Sequence, residues 1–191
     1  MSKERIKSIC VYCGSRLGLS NEYTDNAKIL GKKIAYNNLK LVYGGGNIGL
    51  MGILAESCKQ NGGQILGVIP YNLTKKEQGK QNISSYIITE DMHERKKVMY
   101  MNSDIIIALP GGIGTLEELF EMLTWKQLGF HKKPVYLLNI LDYWDSLLNL
   151  LDIMIKKGFL EKEANNYFKV CETVDEIFLD LKKEGLIESN E

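Results

Sequence analysis

This 191-residue chain lacks a net charge: 24 lysines and arginines offset 24 aspartates and glutamates. The balance leaves no basic footprint for a nucleic acid or an anionic membrane surface. No apolar run approaches the roughly 20 residues that span a bilayer. Only two histidines are present, too few for a histidine metal centre. No Gly-Lys-Ser/Thr occurs, which excludes a Walker A phosphate loop. The four cysteines include a single C-x-x-C, Cys10 and Cys13, with no second one to complete a zinc site. On a strand, positions three apart face opposite ways. Those two, like the isolated Cys58 and Cys171, therefore read as small core residues in a reducing compartment. Repeats and low-complexity linkers are absent, and the start, Met1 to Arg5, leads into a strand-like segment rather than a signal peptide. The expectation is one cytoplasmic domain over residues 1–191.

What is present alternates. Apolar strand candidates are 6–13, 39–43, 64–69, 86–89, 104–109, 134–139 and 168–171. Helical patterns fill the gaps at 20–37, 49–61, 91–102, 115–128, 142–157 and 173–184. Strands rich in Val, Ile and Leu separated by helices predict an α/β fold, a doubly wound, Rossmann-like parallel sheet flanked by helices. Residues 71–85 are polar and irregular, a surface loop or lid. Ligands of such folds sit at the carboxyl ends of the strands. Three glycine clusters fall there: Gly14-Ser15 with Gly18, Gly44 to Gly52, and Gly111 to Gly114.

The last cluster, in Leu109-Pro110-Gly111-Gly112-Ile113-Gly114-Thr115-Leu116-Glu117-Glu118, is the most telling. Its glycines admit close approach of a ligand to the backbone. The helix that follows aims free N–H groups and a positive dipole end at the same place, which favours phosphate. Two carboxylates in the first helical turn would set acid–base chemistry beside that anion. A plain helix cap, with Glu117 and Glu118 complementing the dipole, is the alternative. Leu116, Leu119, Phe120 and Leu123 make the buried stripe of this helix. Glu117, Glu121 and Thr124 flank the stripe, and Glu118 lies further round.

Two other segments are ambiguous on their residues. Gly44-Gly45-Gly46-Asn47-Ile48-Gly49 matches G-x-G-x-x-G, but no acidic residue ends the next strand to hold a nicotinamide ribose. Those glycines serve either a mononucleotide phosphate or tight helix–sheet packing. In Asp91 to Met99, helical spacing sets Met92, Arg95, Lys96 and Met99 on one side. Arg95 is thereby offered to a cleft, where a planar guanidinium suits phosphate or ribose oxygens. A solvated basic helix is the other reading, and the methionines (Met92, Met99, Met122) read either as core or as an apolar base pocket.

Taken together, these segments resemble the Lonely Guy family of cytokinin riboside 5′-monophosphate phosphoribohydrolases, many of whose members carry a lysine decarboxylase label. The motifs are P-G-G-x-G-T-x-x-E at Pro110 to Glu118, M-H-x-R-K at Met92 to Lys96, G-G-G-x-x-G-L-M-G at Gly44 to Gly52, and C-G-S at Cys13 to Ser15. Thr124 to Gly129 is also similar, and the likeness covers roughly residues 6 to 180. Ile113 stands where many members have Tyr. The resemblance implies that Arg95 and Glu118 form the catalytic pair. It implies that Gly112, Gly114 and Thr115 hold a 5′-phosphate. Glu77, Lys96, Gly111, Glu117 and Thr124 would complete the substrate site, together with Gly14, Ser15, Gly45 and Gly46.

The expected substrate is AMP or N6-isopentenyl-AMP, cleaved by water with neither metal nor organic cofactor, in a homodimer whose site lies near the subunit interface. Three competing readings are a nucleotide or molybdenum-cofactor carrier of the same fold, a nicotinamide-dependent oxidoreductase, and a pyridoxal-phosphate decarboxylase.

Overall fold

A computed structural model describes residues 5–74 and 83–188. Its centre is β1 (Ser8–Tyr12), buried along its whole length. On one side β1 pairs with β2 (Lys40–Tyr43), then come β3 (Ile65–Pro70) and β4 (Ser85–Thr89). On the other side lie β5 (Ile105–Ala108), β6 (Val135–Leu138) and β7 (Lys169–Cys171). Every pairing is parallel, with Ile9 beside both Leu41 and Ile105. The seven-stranded order β4-β3-β2-β1-β5-β6-β7 reverses direction between β1 and β5. That switch point opens a crevice at the carboxyl ends of the two strands.

Unbroken apolar strands such as Ile105-Ile106-Ile107-Ala108 require cover on both faces. Helices α1 (Asn21–Tyr36), α2 (Gly49–Gln60) and α6 (Val174–Lys183) supply one layer, around Leu30, Leu54 and Phe178. Helices α3 (Met92–Met101), α4 (Ile113–Gln127) and α5 (Asp145–Lys156) supply the other, around Met99, Met122 and Leu147. Cys10 belongs to the second layer and Cys13 to the first, so the nominal C-x-x-C is split by the sheet. All four cysteines are buried, and none forms a disulfide. Among the described residues no helix is long and apolar enough to cross a membrane.

Two departures from the sequence pattern bear on function. Helix α4 starts at Ile113, capped by Gly112, rather than at 115. Its first turn therefore contains no acidic residue, and Glu117 and Glu118 lie in the second. Helix α5 starts at Asp145 rather than 142. Leu141 and Asp142 both adopt left-handed backbone angles (φ 53° and 56°) at the end of a 3-10 turn, Ile140–Asp142. The Asn139 side chain fixes this corner by accepting from the Trp144 N–H at 2.6 Å and donating to Asp145 at 2.9 Å. The corner presents Tyr143 to the carboxyl edge of the sheet.

Candidate functional site

Three backbone segments are knit together above β1 and β5. The Gly14 N–H donates to the Pro110 carbonyl at 3.1 Å, and the Gly14 carbonyl accepts from the Leu50 N–H at 3.0 Å. A Cβ on Gly14 would stand 3.3 Å from the Gly111 Cα, and one on Gly49 would collide with the Ser15 backbone. Glycine at 49 is doubly required, because its φ is +60°. These contacts enclose a cavity of about 510 Å³ bordered by Gly14, Ser15, Gly111, Gly112 and Ile113. Tyr143 closes the wall and donates from its hydroxyl to the Gly111 carbonyl at 2.5 Å.

Gly112 and Gly114 differ from the packing glycines: a Cβ on either would meet no protein atom within 4 Å, and neither φ is positive. Protein packing does not demand glycine at either position. Both flank the first turn of α4, whose leading N–H groups have no acceptor within the helix. Thr115 is buried, its hydroxyl tucked where a Cβ on Gly111 would otherwise stand. Its side chain thus shapes the loop from beneath. Gly45 (φ +74°) turns the chain and packs on Val68 and Ile69, and Gly46 is buried. At Gly45, packing accounts for the residue.

One helical turn beyond Gly114, the buried stripe of α4 runs through Thr115, Glu118, Leu119, Met122 and Leu123. It is rotated by one residue from the stripe expected on Leu116 and Phe120, which are only half buried. Glu118 therefore sits in the core-facing row, 6% exposed. It faces Arg95 of α3, whose Nη2 lies 3.4 Å from Glu118 Oε1. Arg95 is equally buried, which removes the reading of α3 as a solvated basic helix. Its Nη1 points to Met92 Sδ at 3.5 Å, while Nε is buried with no hydrogen-bond partner among the described residues. Gly44, at the end of β2, makes room for this guanidinium, since a Cβ there would collide with Nη2.

Beside the pair, Lys96 bridges Glu117 and Glu121, with Nζ 3.1 Å from Glu121 Oε1. Burial works against the charge on Lys96, but hydrogen bonds and attraction from the two glutamates outweigh it and raise its pKa. A second oxygen of Glu121, Oε2, is buried with no hydrogen-bond partner among the described residues. A buried polar group without a partner is costly to folding.

The structure thus gathers Arg95, Lys96, Glu117 and Glu118 into one cluster, and Gly14, Ser15, Gly111 and Gly112 around one cavity on the same edge of the sheet. Thr124 is not brought in: it lies two turns along α4 from Glu117 and borders a separate small apolar cavity with Phe120 and Met154. Glu77 lies outside the described residues. Met99 and Met122 are core, fully buried, whereas Met92 is partly exposed at the Arg95 end of α3.

Sequence reasoning passed over two residues here. Tyr12 ends β1 in the α4 layer; burial first, then neighbouring negative charge including Glu118, raises its pKa well above the usual phenol value. Tyr143 was hidden inside a predicted helix, although its place just after β6 puts it at a strand end.

Comparison with known proteins agrees with this geometry. A family model described as possible lysine decarboxylase matches residues 51–181. A cytokinin riboside 5′-monophosphate phosphoribohydrolase of Arabidopsis thaliana is 42% identical over 183 residues, covering 96% of this chain and 85% of the relative. One from Oryza sativa subsp. japonica is 42% identical over 181 residues, covering 95% and 75%. Among solved structures, the molybdenum cofactor binding protein of Rippkaea orientalis superposes with a TM-score of 0.69 at 24% identity, covering 94% of this chain and 97% of that one. The molybdenum cofactor carrier protein of Chlamydomonas reinhardtii gives 0.68 at 24% identity, covering 94% and 98%. At that identity the structural matches establish the fold.

Proposed function

This chain belongs to the Lonely Guy family of cytokinin riboside 5′-monophosphate phosphoribohydrolases, and on that premise we propose that it hydrolyses the N-glycosidic bond of AMP or N6-modified AMP to free base and ribose 5-phosphate. The observation that carries the reading is the buried Arg95–Glu118 pair, one helical turn from an open glycine cradle.

The 5′-phosphate lies against the backbone of Gly111, Gly112 and Gly114, where the start of α4 favours an anion. That anchor sets the ribose over the second turn of the helix. As the bond from C1′ to the base breaks, its electron pair leaves with the base and C1′ becomes oxocarbenium-like. Glu118 is the carboxylate placed to stabilise that positive charge and to take the proton from the attacking water. Arg95 orients the nucleotide through Nε and faces the Glu118 carboxylate. It stays protonated throughout, so the departing base takes its proton from solvent, and Glu118 returns to solvent the proton it took from the attacking water. Lys96, Glu117 and Glu121 form a charged floor for the ribose hydroxyls.

Pyridoxal phosphate does not fit these residues. Its carrier lysine must reach the neutral amine, whereas Lys96 is held in its charged form by two glutamates.

The working form is a homodimer, for which Ile87 and Ile88 on edge strand β4 and Met92 and Met101 on α3 offer exposed apolar surface; light scattering on the purified protein checks its mass. Four buried thiols, none in a disulfide, suit a reducing, cytoplasmic setting.

The deciding experiment is chromatography of products after incubation with AMP, N6-isopentenyl-AMP and the matching nucleosides. Base and ribose 5-phosphate appear from the monophosphates alone, and the ratio of rates gives base preference. Nucleotide binding without release from any of them would falsify the hydrolase reading.

A further inference from the structure

The buried cluster does not supply the charge that a phosphate needs. Its two cations, Arg95 and Lys96, face three carboxylates, Glu117, Glu118 and Glu121. A phosphate monoester carries about −1.5 to −2 at neutral pH, and it would meet a cluster whose net charge is already negative. The α4 N-terminus offsets only about half a charge. The cradle therefore needs a further cation.

Among the described residues the cavity wall holds one charged residue, Arg16; the remaining lining is glycine, proline, serine, tyrosine and aliphatic side chains. The Arg16 backbone is pinned on both sides: a Cβ on Gly14 would stand 3.3 Å from its carbonyl oxygen, and one on Gly49 would collide with its N. Its side chain is exposed and, among the described residues, forms no ion pair or hydrogen bond. A fixed backbone with an uncommitted guanidinium, at the mouth of a glycine-lined cavity, has the geometry for bidentate capture of phosphate oxygens.

We propose that Arg16 is the phosphate-binding cation of this site and the residue that makes it select nucleoside monophosphates over nucleosides. This rests on the placement of the 5′-phosphate in the glycine cradle. Arg16 recognises the anion, so its contribution appears in binding rather than in the bond-breaking step.

The test measures Arg16→Ala and Arg16→Lys against the wild-type protein with three probes: AMP, ribose 5-phosphate and adenosine. For Arg16→Ala, KM for AMP rises roughly tenfold or more with kcat nearly unchanged, on the scale of a lost charge-assisted hydrogen bond. Calorimetry shows ribose 5-phosphate binding weakened by the same factor and adenosine binding unchanged. Arg16→Lys restores part of the loss. An unchanged KM overturns the assignment, and so does an equal loss for adenosine, which would place Arg16 on the base or ribose. Failure of the wild type to bind ribose 5-phosphate overturns it too. If the wild type binds ribose 5-phosphate but releases no base from AMP, the hydrolase reading fails while calorimetry still decides the role of Arg16.

Discussion

Arg95 Nη2 occupies the space that a Cβ on Gly44 would need. The atom in the way is the far end of a flexible side chain, so it moves aside cheaply. Moving it, however, takes the guanidinium away from Glu118, which it faces at 3.4 Å. Gly44→Ala is therefore expected to lose roughly 10²-fold in kcat, comparable to removing one preorganised charge, and to lower its thermal midpoint by no more than the Arg95→Met variant does, because both charges stay in the chain. Melting curves and turnover on AMP, measured on the same preparation, separate the two effects. Full activity in a folded Gly44→Ala protein would show that Arg95 need not hold its present position.

Tyr143 acts on the other side of the cradle. Its hydroxyl donates to the Gly111 carbonyl while its ring forms part of the cavity wall. Tyr143→Phe keeps the ring and removes the hydrogen bond, freeing the Gly111 peptide to rotate. The expected result is a rise in KM of about twofold to tenfold, the span of one neutral hydrogen bond, with stability nearly unchanged. Steady-state kinetics with AMP detects it; an unaltered KM would mean the loop is held by Gly14 and Thr115 alone.

The fold is readable because each strand is a short apolar run and each helix a separate amphipathic pattern, so among the described residues seven strands and six α-helices fall within a few residues of where the periodicity places them. The site was only partly readable. Glycine in Gly111-Gly112-Ile113-Gly114 marked the cradle, but periodicity put Glu118 off the buried stripe because a carboxylate is not counted as an inward-facing residue. The contact with Arg95 gives that burial a physical reason. The start of α5 was misplaced because Leu141 and Asp142 take left-handed angles that neither residue type announces. Thr124 was assigned by resemblance alone, and along the helix axis it is too far from Glu117 to share a contact within one chain: seven residues correspond to about 10 Å.

His131 gives a pH dependence separate from the site. Buried between α4 and β6, it donates from Nε2 to the Met122 carbonyl at 2.9 Å and accepts the Lys133 N–H on Nδ1 at 3.2 Å. That pattern requires the neutral ring. Burial is the main cause of a pKa lowered from 6.5, opposed by the Met122 bond and reinforced by Lys126 and Lys133. As pH falls through about 6.5, the unfolded chain takes a proton that the folded one refuses, so stability present above that pH is lost below it, by up to about 1.4 kcal/mol per pH unit. His131→Gln does not titrate there. Urea midpoints at neutral and mildly acidic pH should show the gap between the wild type and His131→Gln narrowing with acid. A constant gap would mean that the histidine charges freely in the fold.

The buried pair itself separates stability from function. Arg95→Met leaves the Glu118 carboxylate in the core without the guanidinium facing it, a change that costs about 3–5 kcal/mol in buried pairs. Glu118→Leu strands the guanidinium in the same way. Replacing both together removes both charges and leaves apolar groups, for which stability returns close to the wild type or exceeds it. Either single change is expected to lose roughly 10²–10³ in turnover, and the double variant regains none of it. Denaturant unfolding and product release, measured on the three variants, therefore move in opposite directions at the double substitution. A double variant that recovered turnover along with stability would mean that Arg95 and Glu118 only hold the two helices together. One that stayed folded and inactive ties the costly burial of this pair to chemistry, because a stable fold would then be available without it.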